Sequence, residues 1–197
     1  GNVFSAMLAW LSIRSCGGTL VLRIEDLDPD RCRPEYADTL KRDLEWLGLT
    51  WDVEQTMQSL RADAYGRMFS RLEEKGLVYP CYCSRTELHA ASAPHASDGT
   101  LLYAGTCRNL TQAQRAARTK APCWRVLVPD ETISFSDGVQ GDYAQNLMRG
   151  CGDFIIRRAD GVYAYQLAVV TDDAQAGVTQ VVRGSDLLSS TPRQIWL

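Results

Sequence analysis

The stretch GGTLVLRIEDLDPDR, residues 17–31, is the part of the sequence that best indicates the fold. Thr19 to Ile24 form an aliphatic and β-branched run between glycines and acidic residues, a pattern that predicts a buried strand. In open α/β sheets, ligands bind beyond the carboxyl ends of parallel strands. Glu25, at that end, is therefore a candidate to hold a substrate ammonium group. A solvated acidic loop is the alternative interpretation.

Three helices are predicted around this strand. Apolar residues at three- and four-residue steps predict a helix over 3–16, with Asn2 as its N-cap and glycines closing it. Pro34 at a first-turn position predicts a second helix that ends at Gly48, and a third covers about 61–75. The free N–H groups at the start of the first helix could bind a phosphate. This alternation predicts an α/β domain with a mainly parallel sheet.

The sequence pattern changes after Tyr79 and changes back near residue 151. Three segments are predicted: 1–78 as the first half of the α/β domain, 79–150 as an insertion, and 151–197 as the second half. Further elements are a short helical stretch near 85–91, strands at 124–128, 133–135 and 153–158, a hairpin turn at Asp160-Gly161, continued α/β pattern over 165–170, and a strand at 178–182. Ser189 to Gln194, with Pro192 in the first turn, predict a last helix.

Composition excludes several classes of protein. The chain has 197 residues, of which 45% are hydrophobic and 23% charged, as in globular domains. No apolar run reaches the roughly 18 residues of a membrane span. A net charge of −3 excludes a general polycation that coats nucleic acid. Seven cysteines favour reduced thiols in the cytoplasm. Because the chain starts at Gly1 without a methionine, we expect it to begin inside a longer reading frame.

A cysteine-rich constellation is the first candidate site after Glu25. Cys81 and Cys83 are separated by one residue, and Tyr103 and Cys107 follow downstream. Three thiolates suit zinc, which takes four N, S or O donors; free thiols are the alternative. The other four cysteines are predicted to be buried small residues, namely Cys16, Cys32, Cys123 and Cys151.

A third constellation lies near the end of the chain. Arg183 follows an apolar run and could bind a carboxylate as a two-pronged donor. Tyr165, predicted on a neighbouring strand, could orient an amine. A surface arginine and a half-buried tyrosine are the alternative interpretation.

The segment 107–125 contains Arg108, Arg115, Arg118, Lys120 and Arg125 and no acidic residue. Clustered cations release counterions when they meet a nucleic acid backbone, which makes this segment a candidate RNA contact. An amphipathic helix whose arginines face water is the alternative.

The order and wording of these motifs resemble a known family. GGTLVLRIEDLDPDR, then EWLGLTWD at 45–52 and SSTPRQ at 189–194, resemble class I glutamyl-tRNA synthetases and their short paralogues, the glutamyl-Q tRNA(Asp) synthetases. The resemblance spans almost the whole chain. Gly1 and Asn2 match the last two residues of the family's "HIGH" element. Its leading histidine and the KMSKS-type lysine are not in the chain, so no catalytic residue is assigned.

The resemblance implies a Rossmann-type catalytic core with a zinc-bearing inserted subdomain. It implies that Glu25, Tyr165 and Arg183 bind L-glutamate, and that Gly1 and Asn2 lie near ATP. It also implies a structural Zn²⁺ site made of Cys81, Cys83, Tyr103 and Cys107, with His89 or His95 as alternatives to Tyr103.

The resemblance further implies an ATP- and Mg²⁺-dependent ligase that forms glutamyl-adenylate. The stretch AYQLAVV at 164–170, with Val169 where many full-length glutamyl enzymes have Asn, and the compact YAGTCR at 103–108 favour the paralogue. Its acceptor is queuosine in the anticodon of tRNA(Asp). The alternatives are a core that charges the 3′ end of tRNA(Glu), or a non-catalytic RNA-binding paralogue. We expect the 197-residue chain alone to be inactive or impaired.

Overall fold

The computed structural model describes residues 2–28, 31–84, 87 and 102–197. The helices in these ranges are α1 (Asn2–Ser15), α2 (Pro34–Trp46), α3 (Ala62–Glu74), α4 (Gln112–Ala116), α5 (Leu147–Gly150), α6 (Tyr165–Ala176) and α7 (Thr191–Trp196). The strands are β1 (Val21–Leu22), β2 (Val53–Glu54), β3 (Val78–Cys81), β4 (Cys123–Val126), β5 (Thr132–Asp137), β6 (Gly141–Asn146) and β7 (Phe154–Arg157). Single 3₁₀ segments cover Gln58–Leu60 and Ser185–Ser190.

The chain forms two compact units, each built from separate segments. The first unit comprises Gly1–Ala64 and Asp173–Gly184, and the second comprises Tyr65–Asp172 and Ser185–Leu197. The division into segments 1–78, 79–150 and 151–197 was based on the sequence pattern, and it stays a prediction.

The first unit contains the strand on which the α/β prediction rests. β1 pairs in parallel with β2, with Val21 opposite Val53 and Leu22 opposite Glu54. The strand predicted over 19–24 is shorter than expected, because only these two residues pair, and they are half-buried rather than buried. A two-residue strand takes part of its support from nearby contacts: the backbone N–H of Asp52 donates to Leu20 O at 2.9 Å.

The predicted helix boundaries are confirmed at the helices of the first half of the chain. α2 begins at Pro34, whose fixed φ suits a first turn and whose missing N–H costs no helical bond there. Its end is set by Gly48, which adopts φ +74°, a left-handed conformation that glycine takes without steric cost. Asn2, predicted as the N-cap of α1, is placed as the first helical residue.

The second unit is built on an antiparallel sheet. Its strand order is β3-β4-β7, and all neighbours run antiparallel. Buried side chains from this sheet and its flanking helices form the core: Phe69, Leu72, Val126, Val128, Leu147, Phe154, Ile156 and Leu167. β5 and β6 form a separate antiparallel hairpin. The prediction of a mainly parallel sheet is therefore wrong for the described residues, where β1–β2 is the one parallel pair.

Two further predictions near the end of the chain need correction. The run 165–170, which placed Tyr165 on a strand, lies in helix α6, where Leu167, Ala168 and Val169 are buried. A helix that is buried on most of its surface has no polar stripe, so its periodicity cannot be told from that of a strand. Residues 178–182 form no strand, and Val178 and Val181 are exposed. The predicted turn at Asp160-Gly161 is confirmed by the antiparallel bridge between Arg157 and Tyr163.

No helix in the described ranges is both long enough and apolar enough to cross a membrane. The short helix predicted near 85–91 lies outside the described residues apart from Glu87, which is helical.

Candidate functional site

Three cysteine sulfurs meet at the edge of the antiparallel sheet in the second unit. Cys81 is the last residue of β3, Cys83 follows two residues later, and Cys107 lies between Tyr103 and helix α4. Their Sγ atoms all lie within 4.8 Å of one another, and those of Cys83 and Cys107 are 3.6 Å apart. Because thiolates are soft, strongly donating ligands, this triad could hold a metal ion.

Tyr103 places its phenol oxygen beside the triad. The hydroxyl oxygen lies 3.4 Å from Cys81 Sγ and accepts a hydrogen bond of 2.7 Å from the backbone N–H of Cys107. The residue is 6% exposed. Its backbone is approached closely by Gly152, where an added Cβ would lie 2.8 Å from Tyr103 O. The sequence-predicted set Cys81, Cys83, Tyr103 and Cys107 is thus brought together, while His89 and His95 lie outside the described residues.

The electrostatics of the cluster favour one thiolate in the absence of a cation. A hydrogen bond from Cys123 lowers the pKa of Cys81 to about 4, against burial and with help from Tyr103 and Arg125. Burial and the negative charge of Cys81 raise the pKa of Cys83 to about 12. Burial also raises the pKa of Tyr103. The donor chemistry therefore fits a metal cation, which would stabilise further anionic ligands that the metal-free cluster keeps protonated.

A buried carboxylate lies behind this cluster. Asp153 is 3% exposed and pairs with Arg108 through two bonds, of 2.8 Å from Nε and 2.6 Å from Nη2. It also accepts the hydroxyl of Tyr79 at 2.6 Å and the backbone N–H of Val128 at 2.8 Å. Every oxygen of this carboxylate is thus hydrogen-bonded, as a buried charge requires.

The basic segment 107–125 is not the uniform basic surface that an RNA-contact interpretation assumes. Arg108 is bound to Asp153, and Arg125 is buried. The helix within it, α4, covers five residues and is shorter than the amphipathic helix predicted there. Arg118 and Lys120 are exposed. The structure therefore leaves two clearly exposed cations where the sequence suggested five.

Glu25 is held by a neighbouring arginine. Arg23 donates to Glu25 Oε1 from Nη2 at 3.0 Å, and its Nη1 donates to Asp173 Oδ1 at 2.7 Å. Burial alone would lower the pKa of Arg23, but the bonds to Asp173 and Glu25 outweigh it and the pKa is raised. The side chain of Glu25 is 38% exposed, so its carboxylate remains accessible.

The other predicted substrate residues are half-buried. Tyr165 is the first residue of α6 in the second unit, while Glu25 and Arg183 belong to the first unit. Gly1 lies outside the described residues, and Asn2 begins α1.

Sequence reasoning missed several residues of the cluster. Cys123 was expected to be a plain buried residue, but it is half-buried, stands opposite Cys81 in the β3–β4 register and donates to Cys81 O at 3.4 Å. Cys16, also expected to be buried, is exposed at the end of α1. The contacts of Asp153 and Arg125 join residues far apart in the chain, so no local sequence pattern predicts these contacts.

The chain is a mixed α/β protein that carries its cysteine cluster in the second unit. The family model for the catalytic domain of class I tRNA synthetases of the E and Q type matches residues 1–197. The chain therefore belongs to this family.

Several relatives are similar over the whole chain. A glutamyl-Q tRNA(Asp) synthetase of Nitratidesulfovibrio vulgaris is 49% identical over 209 residues, which cover 100% of this chain and 64% of the relative. One of Neisseria meningitidis serogroup C is 51% identical over 197 residues, which cover 100% of this chain and 66% of the relative. The chain thus spans about two thirds of the length of these relatives.

Solved structures show the same fold. A glutamate tRNA ligase from Elizabethkingia meningosepticum, in complex with its amino acid, superposes with a TM-score of 0.84 at 24% identity, covering 100% of this chain and 43% of that one. The glutamate-tRNA synthetase of Elizabethkingia anophelis gives a TM-score of 0.85 with the same identity and coverage.

Proposed function

We propose that this protein activates L-glutamate with ATP and transfers the glutamyl group to queuosine in the anticodon of tRNA(Asp). The observation that carries the proposal is the identity of 49–51% over the entire chain to relatives named for that reaction. The Tyr103–Cys107 element, whose phenol oxygen packs on the cysteine triad, supports it independently. A cytoplasmic location is part of the proposal, in keeping with seven free cysteines.

The substrate contacts follow from the chemistry of the side chains. Glutamate carries one ammonium group and two carboxylates; Glu25 and Tyr165 bind the ammonium, and Arg183 binds a carboxylate through charge-assisted hydrogen bonds. Arg23 holds Glu25 Oε1 and so fixes the direction of the second carboxylate oxygen. In this proposal Gly1 and Asn2 are the residues close to ATP, and free backbone N–H groups at the start of α1 bind its phosphates.

The reaction needs no covalent enzyme intermediate. An oxygen of the glutamate α-carboxylate attacks the α-phosphorus of ATP, the bond to the β-phosphate oxygen breaks, and pyrophosphate leaves. Mg²⁺ offsets phosphate charge when it is bound. The protein contributes positioning and electrostatic stabilisation of the charged phosphorus centre. The adenylate then passes its glutamyl group to a hydroxyl of the acceptor, and AMP leaves.

Replacing Glu25 by glutamine tests the substrate contacts. E25Q removes the negative charge that pairs with the substrate ammonium, a loss of about 1.5–3 kcal/mol that lowers kcat/KM for glutamate about 10- to 150-fold. The measurement is glutamate-dependent ATP–pyrophosphate exchange by the protein expressed from its complete gene. E54Q is the matched control, because Glu54 lies on β2, the strand next to β1, and pairs with Lys41 of helix α2. Equal exchange in E25Q and E54Q would contradict the assignment, and absence of exchange in the unsubstituted protein would favour a non-catalytic RNA-binding paralogue.

The acceptor is decided by a transfer assay. With labelled glutamate and ATP, the proposal expects label on tRNA(Asp) that contains queuosine, and none on the same tRNA with unmodified guanosine. The fold similarity to glutamate tRNA ligases makes the 3′ end of tRNA(Glu) the second candidate acceptor. Label on tRNA(Glu) alone would overturn the queuosine assignment and leave glutamate activation standing.

The metal of the cysteine cluster is zinc in this proposal. Cys81, Cys83, Cys107 and Tyr103 supply four donors, the number that closed structural zinc sites contain. Bound zinc links the end of β3 to the segment that carries Tyr103 and Cys107. Because all four positions are filled by protein donors, the site is structural and takes no part in the chemistry at phosphorus.

The pH dependence of zinc affinity tests Tyr103 as a ligand. Cys81, with a pKa of about 4, has no proton to release above about pH 5, whereas Cys83, with a pKa of about 12, must release one. Tyr103, whose pKa is raised, must release another. Zinc affinity therefore rises with pH, by about tenfold per pH unit for each released proton.

We expect Y103F to release one proton fewer than the unsubstituted protein. Competition with a chromophoric chelator between about pH 6 and 8 gives both slopes. Zinc should also produce the ultraviolet difference band of a tyrosinate in the unsubstituted protein and not in Y103F. Identical slopes and no tyrosinate band would show that another group completes the site.

A further inference from the structure

A buried arginine lies against the ring of Tyr103. Arg125, on β4, is 6% exposed, and its Cζ atom is 3.7 Å from the centroid of the Tyr103 ring. At this distance the guanidinium stacks on the face of the ring, a geometry that fixes the plane of the phenol. The hydroxyl oxygen of the same ring is the one that lies beside Cys81 Sγ. Arg125 therefore constrains the orientation of a proposed ligand.

In the described residues, the positive charge of Arg125 is not neutralised by an ion pair with a carboxylate. The carboxylate of Asp153 is already hydrogen-bonded by Arg108, by the hydroxyl of Tyr79 and by the backbone N–H of Val128. Arg125 bonds instead to the backbone oxygen of Asp153, from Nη1 at 2.6 Å. Within the described part of the chain no acidic side chain pairs with Arg125, and its Nε atom is buried without a hydrogen-bond partner.

A buried cation without a counter-charge is costly, so a negative group close to it is expected. The proposed ligand set of the three cysteines and Tyr103 can supply this negative charge. Three thiolates and one phenolate carry four negative charges, and a divalent ion neutralises two of them. Arg125 stacks on the ring of Tyr103, whose hydroxyl oxygen lies 3.4 Å from Cys81 Sγ, so its positive charge is close to this negative ligand set.

We propose that Arg125 is a positioning residue of the metal centre: it holds the Tyr103 phenol toward the cysteine triad and compensates part of the negative charge of the bound ligand set. The inference rests on the proposed metal site and goes beyond it, because Arg125 is not itself a ligand. Groups that orient the metal ligands or compensate their charge, without binding the metal themselves, typically contribute 10- to 100-fold in metal affinity.

The test compares three variants by chelator competition for zinc. R125Q removes the charge and the stacked plane, and we expect zinc affinity to fall about 10- to 100-fold. R125K keeps the charge but loses the plane, and a smaller loss is expected. R157Q is the matched control, because Arg157 stands on the adjacent strand β7 and lies over the rings of Phe69 and Tyr163 away from the triad. It should bind zinc as the unsubstituted protein does.

A double substitution separates positioning from general stability. If Arg125 acts through Tyr103, R125Q should cost much less zinc affinity in a Y103F background than alone. The free energy of unfolding of the metal-free proteins is measured in parallel, and R125K serves if R125Q does not fold.

Zinc affinity of R125Q within about threefold of the unsubstituted protein, or an equal loss in both backgrounds, would overturn the role of Arg125. A larger loss in R125K than in R125Q would contradict the charge argument. If the unsubstituted protein itself binds no zinc, the metal proposal fails instead, and the two failures are therefore distinguishable.

Discussion

The variant C81S should purify without stoichiometric zinc. Cys81 is 1% exposed, lies within 4.8 Å of both other sulfurs of the triad and next to the Tyr103 oxygen, so its loss removes one of the three thiolate donors. A serine hydroxyl is a much poorer zinc ligand than a thiolate. We expect the affinity to fall by more than the 10- to 100-fold typical of groups behind the ligands.

The zinc content of C81S also predicts its stability. Metal binding energy contributes directly to folding energy, so C81S should resemble the chelator-treated protein in its denaturation midpoint. Elemental analysis and denaturation with and without chelator give both quantities. C16S is the matched control, because Cys16 is exposed at the end of α1 in the other unit. Full zinc content in C81S would show that the triad is not the metal site.

The variant D153N should be among the least stable single substitutions of the second unit. The buried carboxylate of Asp153 accepts from Arg108, Tyr79 and Val128, and an amide would meet these donors with one oxygen and an NH₂ group. The guanidinium of Arg108 would lose the one acidic side chain that pairs with it in the described part of the chain. Removing one member of a buried pair costs about 3–5 kcal/mol of the free energy of unfolding.

Denaturant titration at saturating zinc measures this cost. D160N is the control on the same part of the chain: Asp160 pairs with Arg158, but both side chains are about half exposed, at 49% and 47%. An exposed pair contributes about 0–1 kcal/mol, so D160N should unfold almost like the unsubstituted protein. Equal stability of D153N and D160N would mean that the Asp153 network does not stabilise the unit.

The parts of the fold that could be predicted are those with local signals. Pro34 and Gly48 mark the ends of α2 because each acts through its own backbone geometry, and both positions are confirmed. The strand pattern at 178–182 misled because β-branched residues indicate a strand only where a partner strand lies alongside. The direction of strand pairing depends on contacts between distant segments, which explains why an antiparallel sheet replaces the expected parallel one.

Likewise, only those residues of the candidate metal site that have a local sequence signal could be predicted. The cluster of Cys81, Cys83 and Cys107 could be predicted because two cysteines one residue apart, followed by a third downstream, are a pattern that suits a metal site. The structure brings the three sulfurs together. The roles of Arg125 and Asp153 could not be predicted. A basic segment without acidic residues suggested contact with nucleic acid, whereas Arg125 is buried against the ring of Tyr103. Burial of a charge is decided by tertiary packing, and residue type alone does not reveal it.

A crystal structure of the protein with bound L-glutamate tests the substrate assignment most directly. The account predicts a carboxylate oxygen of Glu25 and the hydroxyl of Tyr165 at about 3 Å from the ammonium nitrogen of glutamate, with the guanidinium of Arg183 at a similar distance from one of its carboxylates. Glutamate bound away from these three side chains, or any of them out of hydrogen-bonding reach of it, would contradict the account.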